Sequence, residues 1–166
     1  MVNTVIIFGN SGSGKSTRAK RLSKQHQLAH LDLDTLAWEA TNPPTRRSME
    51  ASLKDIQAFI RQHPRWVIEG CYADLLTLIA PLAEQAVFMD LSVAQCQANA
   101  RNRPFEAHKY SSQAAQDRNL SMLLQWIADY EHRNDACSRQ AHESLFAACP
   151  GEGFRISHNQ DGLQNG

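Results

Sequence analysis

Nine consecutive residues, Gly9-Asn10-Ser11-Gly12-Ser13-Gly14-Lys15-Ser16-Thr17, fit the pattern G-x-x-x-x-G-K-[ST]. Every residue type in that pattern has a task if the ligand is a polyphosphate. Glycines let the backbone turn tightly and bring amide N–H groups against phosphate oxygens. A helix opening at Lys15 adds unpaired first-turn amides and the positive end of its dipole. The Lys15 ammonium is long enough to reach β- and γ-phosphates, and the Ser16 hydroxyl suits a place on Mg²⁺. The strings N-K-x-D and D-x-x-G, which a GTPase needs, are absent. The expected ligand of the loop is therefore a nucleotide with Mg²⁺, its base left open.

Acidic residues stand where such a ligand needs them. Asp32 and Asp34 alternate in His30-Leu31-Asp32-Leu33-Asp34, which reads as a short strand with both carboxylates on one face. Near the carboxyl end of a parallel strand they border the usual ligand crevice of an open α/β sheet. One can hold a water on Mg²⁺, and the other can orient or deprotonate an attacking hydroxyl. Asp34 is taken as the substrate-facing member and Asp32 as the metal-side one, with the reverse order left open. Glu69 ends the run Trp66-Val67-Ile68 directly before Gly70, where a backbone without a side chain can approach a substrate. Tyr72 is placed to stack on that substrate, and Trp38, just beyond Asp34, to line its pocket. Trp66 and Trp126 read as core.

The elements that must position these residues alternate. Thr4 to Phe8 is an apolar, β-branched run suited to a central parallel strand. A helix runs from Lys15 to about Gln27. After the break at Asn42-Pro43-Pro44, Leu53, Ile56 and Ile60 recur at helical spacing up to Pro64. A helix from about Asp74 to Glu84 carries Pro81 near its end, Ala86 to Met89 forms a fourth strand, and Ser92 caps a further helix. Leu120, Leu123, Leu124, Ile127 and Tyr130 mark an amphipathic helix, Ser138 to Cys149 another, and Phe154-Arg155-Ile156 a fifth strand. Strands separated by helices imply βαβ units and a doubly wound, three-layer α/β fold.

Composition narrows the class. The chain has 166 residues, 42 % hydrophobic, with 17 Lys plus Arg against 17 Asp plus Glu. That length fits one domain, residues 1–158, followed by a polar tail from Asn159 to Gly166. A formal charge of zero removes the electrostatic warrant for general nucleic-acid or anionic-membrane binding. No apolar run is long enough to span a bilayer, and Met1 to Phe8 lacks the basic start of a signal peptide. The four cysteines and seven histidines show no zinc spacing. A cytoplasmic monomer or homodimer with reduced thiols is the expectation.

The glycine loop, the acidic second strand and an arginine-bearing segment after strand four resemble the nucleoside monophosphate kinase and shikimate kinase group. More narrowly, Leu31-Asp32-Leu33-Asp34 and Trp66-Val67-Ile68-Glu69-Gly70-Cys71-Tyr72 are similar to the small P-loop proteins called DNA topology modulation protein-like. The resemblance implies a five-stranded parallel sheet of order 2-3-1-4-5 with a small lid over about residues 101–117. The D-x-D resembles the pair in shikimate and gluconate kinases, and Glu69 the strand-end acid near the metal waters of adenylate kinases. It also implies that Arg101 or Arg103 clamps the transferring phosphoryl group from the lid, with Arg118 and Arg133 as weaker candidates. Arg46 and Arg47 fall where relatives bind an acceptor, and His108 and Lys109 have no assigned task. The implied activity is phosphoryl transfer from Mg·ATP to a small-molecule acceptor. The alternative is a nucleotide-binding regulator, linked to DNA as that family's label suggests, without such a reaction.

Overall fold

The computed structural model describes residues 1–159. Five parallel strands form the central sheet: β1 (Thr4–Gly9), β2 (Ala29–Asp32), β5 (Trp66–Gly70), β6 (Gln85–Met89) and β7 (Glu152–Ile156). Their order is β2-β5-β1-β6-β7. Setting aside a two-stranded hairpin, β3 (Trp38–Glu39) with β4 (Thr45–Arg46), this is the expected 2-3-1-4-5. The hairpin was not foreseen, because two-residue strands carry no periodic signal.

Side chains of β1 alternate between two cores, as strand pleating requires. Ile6 and Phe8 join Ile68, Phe88 and Trp66 under α2 (Met49–Gln62), α3 (Ala73–Ile79) and α6 (Arg139–Ala148). Val5 and Ile7 join Val67, Val87 and Met89 under α1 (Lys15–His26), α4 (Val93–Arg101) and α5 (Gln113–Ala128). Helices on both faces explain why the inner strands β1, β5 and β6 read as mostly apolar runs. Among the described residues, no helix is long and apolar enough to cross a membrane.

Three boundaries depart from expectation. Strand β2 stops at Asp32, and Leu33–Thr35 forms a 3-10 turn capped by the Asp32 carboxylate, which accepts from the Asp34 amide at 2.9 Å. Asp32 and Asp34 are therefore not two residues of one strand face. Helix α3 ends at Ile79, and Pro81 sits in a following 3-10 turn. Asn159, expected to begin the tail, instead touches the glycine loop; residues 160–166 lie outside the described residues. The thiols of Cys71 and Cys137, distant in sequence, meet at 3.0 Å.

A buried polar pair links α6 to the end of β5. His142 is fully buried, with Nε2 2.7 Å from the Cys71 carbonyl and Nδ1 2.7 Å from the Tyr130 hydroxyl. A carbonyl can only accept, so Nε2 carries the proton and Nδ1 accepts from Tyr130. Burial, helped by the nearby Lys15 and Arg133 charges, pushes the His142 pKa down to about 4 despite that carbonyl. The unfolded chain takes up this proton near pH 6.5, well before the native one. Stability from this group is thus complete above pH 6.5 and is lost as the pH falls toward 4, about 3 kcal/mol in all. Urea unfolding at pH 7 and pH 4.5 should show a steeper loss for the natural chain than for His142→Gln; parallel losses would contradict it.

Candidate functional site

The glycine loop sits between β1 and α1, at the carboxyl end of the central strand. Gly12 adopts φ +77°, and a Cβ there would lie 2.3 Å from the Cys96 carbonyl oxygen, so only glycine fits. Gly14, at φ 93°, is the N-cap of α1, and no side chain caps that helix. Its first-turn amides therefore stay free for an anion. The loop is held from behind. The Asn10 side chain donates to the Ile127 carbonyl at 3.2 Å, and Asn99 donates to the Gly12 carbonyl at 2.8 Å. Asn159 donates to the Ser13 carbonyl at 3.2 Å. Gly9, Asn10 and Ser13 shape the loop, while Ser11, Gly12, Gly14, Lys15, Ser16 and Thr17 face a cleft of about 550 Å³. Lys15 has folded back, its ammonium donating to the Asn10 carbonyl at 2.8 Å.

Glu69 joins the loop to the sheet. It is only 2 % exposed, and its Oε2 accepts from the Ser16 hydroxyl at 2.7 Å and meets His30 Nε2 at 2.9 Å. The strand register sets Glu69 beside Ile7 on β1 and Asp32 on β2. No group of three or more His, Cys, Asp or Glu is placed to hold a metal among the described residues. A hard cation such as Mg²⁺ needs less, since it usually takes one or two protein oxygens with phosphate oxygens and water. The Ser16 hydroxyl beside the Glu69 carboxylate, next to the phosphate cradle, fits that requirement.

Asp34 lines the same cleft. Its Oδ1 accepts from the Tyr72 hydroxyl at 2.5 Å, and that hydroxyl accepts from Trp38 Nε1 at 2.7 Å. Its Oδ2 lies 2.9 Å from the Lys109 ammonium, which also stands 3.5 Å from Asp32 and 3.5 Å from Glu106. Burial alone would raise the Asp34 pKa, but the Lys109 cation and the Tyr72 hydrogen bond outweigh it and hold it below the ordinary range. Asp32, beside it, is pushed up by burial and by the Glu69 and Asp34 charges, against the pull of Lys109. The pKa values of the two carboxylates are thus pushed in opposite directions.

Other expected residues fall elsewhere. Trp38, Arg46 and Tyr72 cluster beside the cleft rather than on its wall. Arg46 lies 4.7 Å over the Tyr72 ring and 3.1 Å from Asp74, and this group reaches the cleft through Asp34. Gly70 lines the cleft, and a Cβ there would stand 2.9 Å from Leu33. Arg103 lines it too and pairs with Glu106 at 3.1 Å. Arg101, at the end of α4, is exposed and borders a separate shallow hollow with Gln113 and Asp117. Arg118 is exposed, and Arg47 binds Asp55 at 2.7 Å and the Leu36 carbonyl at 2.9 Å. Arg133 stacks 3.6 Å over Trp126 and donates to the Trp126 and Cys137 carbonyls, a packing role.

Lys109, His30, Arg18 and Arg21 were missed as site residues. Nothing in the local sequence marks Lys109. Gln116 on α5 helps pin its segment, accepting from the Glu106 amide at 2.9 Å and donating to the Pro104 carbonyl at 3.1 Å. A signal for the arginines did exist: α1 carries five Lys or Arg residues and no acid.

No protein-family profile matches the chain, and no curated protein matches it by sequence. Among solved structures, it is similar to a sugar kinase from Janibacter sp. HTCC2649, with TM-score 0.55 and 15 % identity over 99 % of this chain and 90 % of that one. A shikimate kinase from Bacteroides thetaiotaomicron aligns with TM-score 0.48 and 15 % identity, over 87 % of this chain and 94 % of that one. The first likeness shows the fold alone: the chain shares the α/β fold of that sugar kinase.

Lys109→Met removes the cation that holds Asp34 ionised. In carbon-13 NMR of the carboxyl groups, Asp34 then titrates at higher pH than in the natural chain, and amide exchange over residues 103–110 speeds up. An unmoved Asp34 titration would mean that the ion pair does not form in solution.

Proposed function

We propose that the protein is a Mg·ATP-dependent kinase for a small-molecule acceptor. The observation that carries this reading is the junction of Ser16 with Glu69 beside the phosphate cradle, with the ionised Asp34 lining the same cleft. A purely nucleotide-binding regulator needs the cradle but not a separately tuned carboxylate in the same cleft. Closer kinship with the DNA topology modulation protein-like small kinases belongs to the same reading, on the residues Leu31 to Asp34 and Trp66 to Tyr72.

In this mechanism the loop amides and Lys15 hold the triphosphate, and Lys15 swings from the Asn10 carbonyl onto it. Ser16 and Glu69 would hold Mg²⁺, which when bound would supply positive charge against the phosphates. Glu69, being buried and bonded to Ser16, takes the main acidic role that the sequence leaves open between it and Asp32. Asp34 accepts a hydrogen bond from the acceptor hydroxyl and takes its proton, its orientation fixed by Tyr72 and, through Tyr72, by Trp38. Lys109 and Arg103 bring positive charge from the lid to the equatorial oxygens. Because the transition state is loose, catalysis rests mainly on this positioning and charge stabilisation. Arg46, stacked behind Tyr72, supports the acceptor wall.

Two variants test the reading. Lys15→Ala should weaken Mg·ATP binding in calorimetry and abolish turnover while the fold survives. Asp34→Asn should leave nucleotide affinity nearly unchanged yet lower ADP release with the true acceptor by about 10²–10⁴, the usual contribution of a positioned base. A panel of nucleoside monophosphates, sugars, sugar acids and shikimate supplies the acceptors. Nucleotide binding without acceptor-dependent ADP release across a metabolite-wide panel would favour the regulator instead.

A further inference from the structure

The cleft holds two arginines that no motif accounts for. Arg18 and Arg21 lie one helical turn apart on α1, directly after Thr17, and both line the cleft. Both side chains are half-buried. Neither has an acidic partner or a hydrogen-bond acceptor among the described residues, and the Arg18 Nε is buried with nothing bound to it. This is unusual within the same cleft, where Arg103 is paired with Glu106 and Lys109 with three carboxylates. Acid is as plentiful as base in the whole chain, 17 against 17, yet none of it is on α1. Burial and the neighbouring Arg21 charge lower the Arg18 pKa, so the pair sits under strain without a counter-ion. A buried, unpaired donor on a charged group is costly, and an anion bound here would relieve both the unpaired donor and the repulsion between the two charges.

We propose that Arg18 and Arg21 form a second anion subsite in the cleft, binding a phosphate group beside the one cradled by the glycine loop. Two planar guanidiniums offer forked donors that match phosphate oxygens better than ammonium groups do. The phosphate has two possible sources: the nucleotide itself, or a separate phosphorylated ligand bound at the same time. Anion binding at this wall needs no turnover, so it stands or falls apart from the kinase reading.

Calorimetry with the full chain tests it. Inorganic pyrophosphate is titrated into protein saturated with Mg²⁺ and a non-hydrolysable ATP analogue, for the natural chain and for Arg18→Gln combined with Arg21→Gln. A further binding event in the natural chain, weakened at least tenfold in the double variant, identifies a separate phosphorylated ligand as the source. No further event, with at least tenfold weaker binding of the analogue itself in the double variant, supports the subsite and assigns it to the nucleotide. If the analogue does not bind at all, the kinase reading fails, and pyrophosphate on the ligand-free chain still reads the arginines. The subsite is overturned if neither ligand senses the double variant. It is equally overturned if Lys24→Gln, at the exposed end of the same helix, weakens binding as much as either single arginine variant. Thermal unfolding adds a readout that a structural role would move the other way. Removing two unpaired like charges should hold or raise the melting temperature of the ligand-free chain, whereas a marked fall would make the arginines structural.

Discussion

The site is organised around one buried carboxylate. Glu69 ends the strand beside β1, almost out of contact with water, and a carboxylate in that position is stable only when donors surround it. Both donors meet the same oxygen: Ser16 from the first turn of α1 and His30 from β2. Three separate parts of the chain are thereby fixed at one point, at the carboxyl ends of the strands. The glycine loop can then be open toward the cleft without being loose, since Asn10, Asn99 and Asn159 hold its back. Removing Glu69 would take away a charge and also the link between loop and sheet.

Charge within the cleft is arranged in two zones. On the sheet side, acids and bases are matched: Lys109 answers Asp34, Asp32 and Glu106, and His30 answers Glu69. On the α1 side, Arg18 and Arg21 stand without acidic partners among the described residues. A chain of zero net charge thus keeps a locally positive wall, and field focusing in a partly enclosed cleft strengthens its hold on anions. The matched zone suits proton handling at an acceptor hydroxyl, and the unmatched zone suits phosphate.

Features with a local cause were legible in the sequence. The glycine loop was read residue by residue, because φ > 0 at Gly12 and Gly14 leaves a compositional mark. The inner strands β1, β5 and β6 were visible because burial on both faces demands apolar runs. Helix caps at Ser48, Ser92, Ser112 and Ser138 follow ordinary hydrogen-bonding chemistry, though only that at Ser92 was named beforehand. What depended on long-range geometry was not legible. The turn that rotates Asp34 away from Asp32 arises from a side-chain cap that competes with strand extension. Lys109 meets Asp34 across 75 residues, through a segment without periodicity that is pinned by Gln116. Arg101 looked equivalent to Arg103 in sequence, yet the end of α4 turns one outward and the other into the cleft.

The kinase reading rests on a phosphoryl group leaving ATP for a small molecule, and phosphorus-31 NMR observes that directly. ATP, Mg²⁺ and the purified chain are mixed with a small-molecule metabolite extract, and the γ-phosphate resonance is followed over time. The account predicts that this resonance declines while a new phosphate-ester signal grows in equal amount, neither occurring with the Lys15→Ala chain. Contradiction would take the form of ATP remaining intact in every extract fraction, or of its γ-phosphate emerging only as free inorganic phosphate.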